Sequence, residues 1–277
     1  MSAPYPWPLE PFDRQHPVRG FFNDPRIADA SHAFHFGIDI SAPDGTAVHA
    51  VAAGTAFIED HGHAVSVRSP GGRTFGYWHV KPAVAHHQQV GRHQLLGHIE
   101  APWAHVHFAE SMHKRYLDPI RPGALRPFVD VGHPTIARIM FRRGTTDVPP
   151  GAVKGRVQIC SVAYDTTPIS VPAPWHHMPV APARVRYRIF CRGECIVPLR
   201  PGIDLRVFRT PAAFHVIYGP DTRQNHPNRP GHYSFILAHD WNSASLANDR
   251  YLLEVEAADV HGNRAVSSLP FTIRNGA

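Results

Sequence analysis

Short apolar runs alternate along the chain with Gly, Pro and Asp-Gly breaks, and few of them reach the length of a helix. In the first half, the runs at 47–53 and 55–59 flank Gly54, and 64–68 is separated from 74–80 by Ser69, Pro70, Gly71 and Gly72. Runs joined by such turns predict the strands and hairpins of an antiparallel sheet. Only 109–116 has even a brief helical spacing. The polar stretch RRGTTDVPPGAVK, residues 142–154, has no periodicity and reads as a linker. Strand candidates follow at 156–164, 184–190, 205–209, 214–218, 233–238, 250–258 and 269–274. In 250–258, Tyr251, Leu253, Val255 and Ala257 share one face while Glu254 and Glu256 share the other. About seven short strands over about 120 residues predict an immunoglobulin-like β-sandwich. The expected fold class is therefore all-β: an extension over 1–18, an antiparallel β domain over 19–141, the linker 142–154, and a sandwich over 155–277.

Composition narrows this picture. With 277 residues and 43% hydrophobic positions the chain can bury two cores. Proline at 28 of 277 disfavours helices. No apolar run is long enough for a transmembrane helix. The net charge of +6 suits an anionic partner, but no basic tract, helix-turn-helix or zinc-finger spacing supports nucleic acid. The opening MSAPYPWPLEPF lacks the basic and apolar regions of a signal peptide. Three cysteines exclude a disulfide-dense scaffold. Cys191 and Cys195 suit a hairpin disulfide or two reduced thiols better than a zinc site, since no second pair accompanies them.

Histidine, at 22 of 277, is in surplus, so isolated His spacings carry little weight. In His35-Phe36-Gly37-Ile38-Asp39, joint ligation of one metal requires a bend, because a straight strand separates the ends by about 13 Å. Gly37 permits one. Taken alone, the same residues equally describe a His and an Asp at a hairpin end. His105-Val106-His107-Phe108 places two imidazoles on one strand face, about 7 Å apart, with Val106 and Phe108 on the other. That pair serves either a metal and its attacking water or two solvent-facing histidines. His79 closes the apolar strand Tyr77-Trp78-His79-Val80, where a lone His is ordinarily structural. His61-Gly62-His63 sits in a turn context.

The order of the pieces is more informative than any one of them. HFGIDISAPDGTAVHAVAAGTA, then VSVRSPGGRTFGYWHV, then VGRHQLLGHIEAPWAHVHF, resembles the lysostaphin-like (LytM) metallopeptidase family across about residues 19–110. That family shows His-x-Gly-x-Asp with a Pro-x-Gly-Thr turn, then Tyr-x-His, a Val-x-x-Gly-x-x-(Leu/Ile)-Gly segment and His-x-His-Phe, and the quoted stretches follow that order. The resemblance implies a zinc metalloendopeptidase that cuts peptidoglycan peptides, with one Zn²⁺ held by His35, Asp39 and His107 and with His79 and His105 catalytic. It also implies an extracellular, periplasmic or cell-wall location. Two departures stand out: Pro102-Trp103-Ala104 precede His105, and Ala109 separates Phe108 from Glu110. They alter a groove wall and leave the ligand positions filled.

The implied site is chemically coherent. Two neutral imidazoles and a carboxylate leave one coordination position open on zinc. We assign His105 to accept a proton from the attacking water and His79 to stabilise the oxyanion, roles that the sequence allows to be exchanged. No His-Glu-x-x-His, Gly-x-Ser-x-Gly or P-loop motif supplies a competing chemistry. Two rival functions are a non-catalytic wall-binding or regulatory module of the same fold and a cytoplasmic metal-binding protein.

Overall fold

Strand His105–Met112 is the axis of the first half: Ile38–Ser41 pairs with one edge and Arg73–Trp78 with the other, both antiparallel. The computed structural model describes residues 4–29 and 31–276. From the axis the sheet runs outward through Ile38–Ser41 to Val18–Gly20, and through Arg73–Trp78, Ala64–Ser69 and Gly54–Glu59 to Gln89–Val90. The turn at Ser69–Gly72 joins its two strands as the alternation predicts. Ala47–His49 instead enters a separate three-stranded sheet with Leu95–Ile99 and Val80–Pro82. The brief helical spacing at 109–116 is overridden: these residues finish the axial strand and return through Arg115–Leu117. Ala109 and Glu110 are buried there, where the ladder supplies their backbone partners.

Alternation along the axis sorts its side chains. Val106 and Phe108 enter a core with Ile38, Ile40, Phe75 and Tyr77, leaving His105 and His107 on the opposite face. Segment 1–18 contributes Tyr5, Trp7 and Leu9 to the same core. Tyr5 also donates to Glu110, which two arginines, Arg73 and Arg121, contact from the other side.

In the second half two antiparallel sheets share one core. Arg156–Thr166 pairs with Thr135–Arg143, Ser234–Asn242 and Pro179–Val180, while Arg250–Ala258 lies between Arg184–Cys191 and Arg264–Thr272. Tyr251, Leu253, Val255 and Ala257 face inward, and outward Glu254 and Glu256 pair with Arg188 and Arg186. Residues 142–154 form a hairpin turn and strand Thr146–Val148 rather than an open connection. Phe214–Ile217 is a short helix, not a strand, because the Pro211–Ala213 turn already winds the backbone into it. Residues 205–209 form no strand; Val207 alone makes an isolated bridge, to Leu117. Glu194–Asp204 pairs at the sheet edge although Pro198 and Pro201 interrupt its alternation.

The halves interlock. Phe34 and Ile27 pack with the second core, while Val180 and Val260 pack with the first. Asn23 donates to the carbonyls of Leu205 and Val207, and Asp24 accepts from the Ala181 amide at 2.7 Å. Among the described residues no helix is long and apolar enough to cross a membrane.

Candidate metal centre

His35 follows strand Ser31–Phe34, and the chain bends at Gly37 before entering Ile38–Ser41. That bend replaces the long separation of a straight strand: His35 Nε2 lies 3.0 Å from Asp39 Oδ1. Gly37 is needed for close approach, since a Cβ there would sit 2.3 Å from the Phe108 carbonyl oxygen and 3.0 Å from the His107 ring. Strand register puts Asp39 opposite His107. His107 Nδ1 is 2.7 Å from His35 Nε2 and 3.1 Å from Asp39 Oδ1.

Three donor atoms from two segments thus meet at one point, and the set tests well against zinc. One carboxylate and two imidazoles are its usual ligands. His35 Nδ1 lies 2.8 Å from the Phe21 carbonyl oxygen, which takes the ring proton at Nδ1 and leaves the Nε2 lone pair facing the centre. Burial lowers the pKa of His107 and lowers that of His35 to about 3, so both rings are neutral at neutral pH. Burial opposes the charge on Asp39, but neighbouring His35 and Arg26 outweigh it and hold the carboxyl well below the usual range. Arg26 donates to the outer oxygen, Oδ2, at 2.7 Å. His107 Nε2 is buried with no hydrogen-bond partner.

His105 and His79 stand beside this group. His105 Nε2 is 3.5 Å from Asp39 Oδ1. Its Nδ1 lies 2.6 Å from Arg19 Nη2 and 2.8 Å from the Trp103 carbonyl oxygen. A guanidinium only donates and a carbonyl only accepts; because Arg19 Nη2 also donates to the Trp103 carbonyl at 3.1 Å, Nδ1 accepts from Arg19 and the ring proton is on Nε2, toward the centre. His79 links Arg73–Trp78 to Val80–Pro82 with φ of 63°, a left-handed conformation uncommon for a non-glycine residue. Its ring stacks on Trp103 at 3.9 Å and meets His105 at 4.6 Å. Burial, and then the neighbouring His105 ring, lower its pKa to about 3.

All five histidine and aspartate positions named from the sequence line one cleft of about 500 Å³. Trp103, from the departure before His105, forms part of its wall. His61 and His63 do not line it; His63 pairs with Glu100 at an exposed turn. Spacing gave no sign of Arg19, Arg26, or the second-half residues Trp175, Gln224 and Asn225, which also line the cleft. Cys160, Cys191 and Cys195 are all free. A second carboxylate group, Asp130, Asp165 and Asp259, lies within 4.8 Å of mutual contact, outside the cleft.

Residues 33–119 match the family model described as Peptidase family M23. No curated protein matches the chain. Among solved structures, a chain of the SpoIIQ–SpoIIIAH pore-forming complex aligns at 17% identity and TM-score 0.38, over 43% of this chain and 90% of that one. A zinc-containing peptidase from Vibrio cholerae aligns at 22% identity and TM-score 0.36, over 42% and 39%. The lysostaphin catalytic domain from Staphylococcus simulans aligns at 21% identity and TM-score 0.32, over 36% and 87%.

Proposed function

Residues 33–119 are a peptidase family M23 domain, and from that premise we propose that the chain is a zinc metalloendopeptidase that hydrolyses peptide bonds of bacterial peptidoglycan at the cell wall. The observation that carries this reading is the convergence of His35, Asp39 and His107 beside two further imidazoles in one cleft. His35 Nε2, Asp39 Oδ1 and His107 Nδ1 would hold the zinc. A bound zinc ion supplies Lewis acidity toward a scissile carbonyl and an attacking water.

The chain's own residues divide the proton work. Arg19 donates to His105 Nδ1 and so leaves the ring proton on Nε2, from which it is donated toward the carbonyl oxygen as negative charge develops there. His79, kept neutral by burial, takes the proton of the attacking water. This exchanges the roles assigned from sequence, and the donor-only guanidinium is the reason. The stack on Trp103 orients His79 toward the cleft.

We read the second half as an immunoglobulin-like sandwich. Supporting this, Arg156–Thr166 lies between Thr135–Arg143 and Ser234–Asn242, and Arg250–Ala258 between Arg184–Cys191 and Arg264–Thr272, as strands B and F lie between their neighbours in that fold.

Zinc content together with peptide release from purified peptidoglycan, followed by mass spectrometry, tests the function. About one zinc per chain and newly exposed amino termini are expected. A zinc-loaded chain that binds sacculi and releases nothing would establish the non-catalytic alternative.

A further inference from the structure

Trp175 belongs to the second half, in the turn between Arg156–Thr166 and Pro179–Val180, yet its ring lies 4.4 Å from the guanidinium carbon of Arg19. Arg19 Nη2 donates at 3.1 Å to the Trp103 carbonyl and at 2.6 Å to His105 Nδ1. The Trp103 ring in turn carries His79. A single guanidinium therefore connects a second-half indole to both imidazoles that are not ligands.

Arginine suits this place because its edge donates while its flat face stacks on an aromatic ring. A long side chain left without that face contact samples several rotamers, and fixing it costs conformational entropy. The indole removes that freedom before substrate arrives. The turn that carries it is itself tied down: the Trp175 amide donates to the Pro172 carbonyl at 3.0 Å, and the Asn228 amide donates to the Pro174 carbonyl at 2.9 Å. A second cavity, of about 630 Å³, shares Arg19, Trp103 and Trp175 with the metal cleft, so the clamp stands where the two meet.

We propose that Trp175 is a positioning residue that clamps Arg19, and through it fixes His105 and the Trp103–His79 stack, so that the second half completes the peptidase centre. The proposal rests on the reading of His79 and His105 as the acid–base pair.

The test uses the full-length zinc-loaded chain with Trp175→Ala, Trp175→Leu, Trp175→Phe, Arg19→Ala and the Arg19→Ala/Trp175→Ala pair. Trp175→Leu keeps bulk without the aromatic face and covers the case in which the alanine variant fails to fold. Loss of the clamp lowers kcat by about 10-fold or more, because small misplacements of a catalytic group are costly. KM changes by less than about 3-fold, and Trp175→Phe recovers most of the rate. The double variant is no slower than Arg19→Ala alone, since both changes break one connection. Zinc content stays equal throughout. A rise in KM with kcat intact, or losses that multiply in the double variant, overturns the clamp and leaves Trp175 as a plain wall.

Nitrogen-15 spectra of the His105 ring give a readout separate from turnover. Wild type carries the proton on Nε2, and Trp175→Ala and Arg19→Ala shift the ring signals together. If wild type cleaves no peptide, the peptidase reading fails while these spectra still decide the clamp: unchanged His105 signals in Trp175→Ala overturn it.

Discussion

Arg26 Nη2 donates to Asp39 Oδ2 at 2.7 Å, while Oδ1 of the same carboxylate faces His35 and His107. The two oxygens are thereby given different tasks, one committed to the guanidinium and one to the centre. A Cβ at residue 20 would come within 2.9 Å of the same guanidinium and 2.7 Å of Oδ2, so Gly20 leaves room for the pairing. Removing the partner that orients a ligand typically weakens metal binding about 10–100-fold. Arg26→Ala should therefore bind zinc about 10-fold more weakly, as read by competition with a chromophoric chelator. Affinity equal to wild type would show that Asp39 is oriented without Arg26.

The five cleft positions should separate by role. His107→Ala is expected to lose most of its zinc while circular dichroism stays native, because Ile38, Val106 and Phe108 hold these strands in the core. His79→Ala and His105→Ala should keep zinc and lose roughly 10²-fold or more in kcat. Full occupancy in His107→Ala removes it from the ligand set; near-normal kcat in either other variant removes that histidine from the chemistry.

Glu110 is fully buried and takes hydrogen bonds from Tyr5, Arg73 and Arg121. Cutting one member out of a buried charge network costs about 3–5 kcal/mol, since the remaining charges lose their counterpart. Glu110→Ala should lose stability on that scale in urea titration. A loss under about 1 kcal/mol would mean that water reaches the arginines as freely as the carboxylate did.

Asp165 titrates in the opposite sense from an ordinary ion-paired carboxylate. Burial, reinforced by Asp130 and Asp259, raises its pKa from 3.8 to about 7. The folded chain then holds a proton that the unfolded chain releases near pH 4, so this group's contribution to stability is lost as pH rises through about 4 to 7. Asp165→Asn should match wild type near pH 4 and exceed it by roughly 4 kcal/mol at pH 8, in chelator-treated protein. Identical pH profiles for the two chains would show that the carboxyl is ionised in the fold.

The local chemistry of the cleft was legible because it is carried by short segments. His35 and Asp39 straddle one glycine, and His105 and His107 share a strand face, so alternation and one bend place them. Their meeting depends on register, which the ordered motifs implied and no single spacing could, given 22 histidines. Arg19, Arg26 and Trp175 left no such trace: Arg19 meets His105 across 86 positions, and the Arg19–Trp175 contact spans the two halves. The strand Glu194–Asp204 escaped notice for a different reason. An edge strand largely open to solvent needs no apolar alternation and tolerates its prolines. At 214–217 the apolar residues read as strand, but the local Pro-led turn selected a helix that buries Phe214 and Ile217.

Phe34, from the first half, lies in the second core, and Val180, from the second, lies in the first. Each half thus keeps part of its interior in the other's sequence. Protease nicking at the hairpin around Gly144 would sever the chain without releasing either piece, because Asn23 and Asp24 still bond across the seam. Prepared separately, the two pieces would each expose an unfilled hollow and behave as complementing fragments, inert apart and restored on mixing.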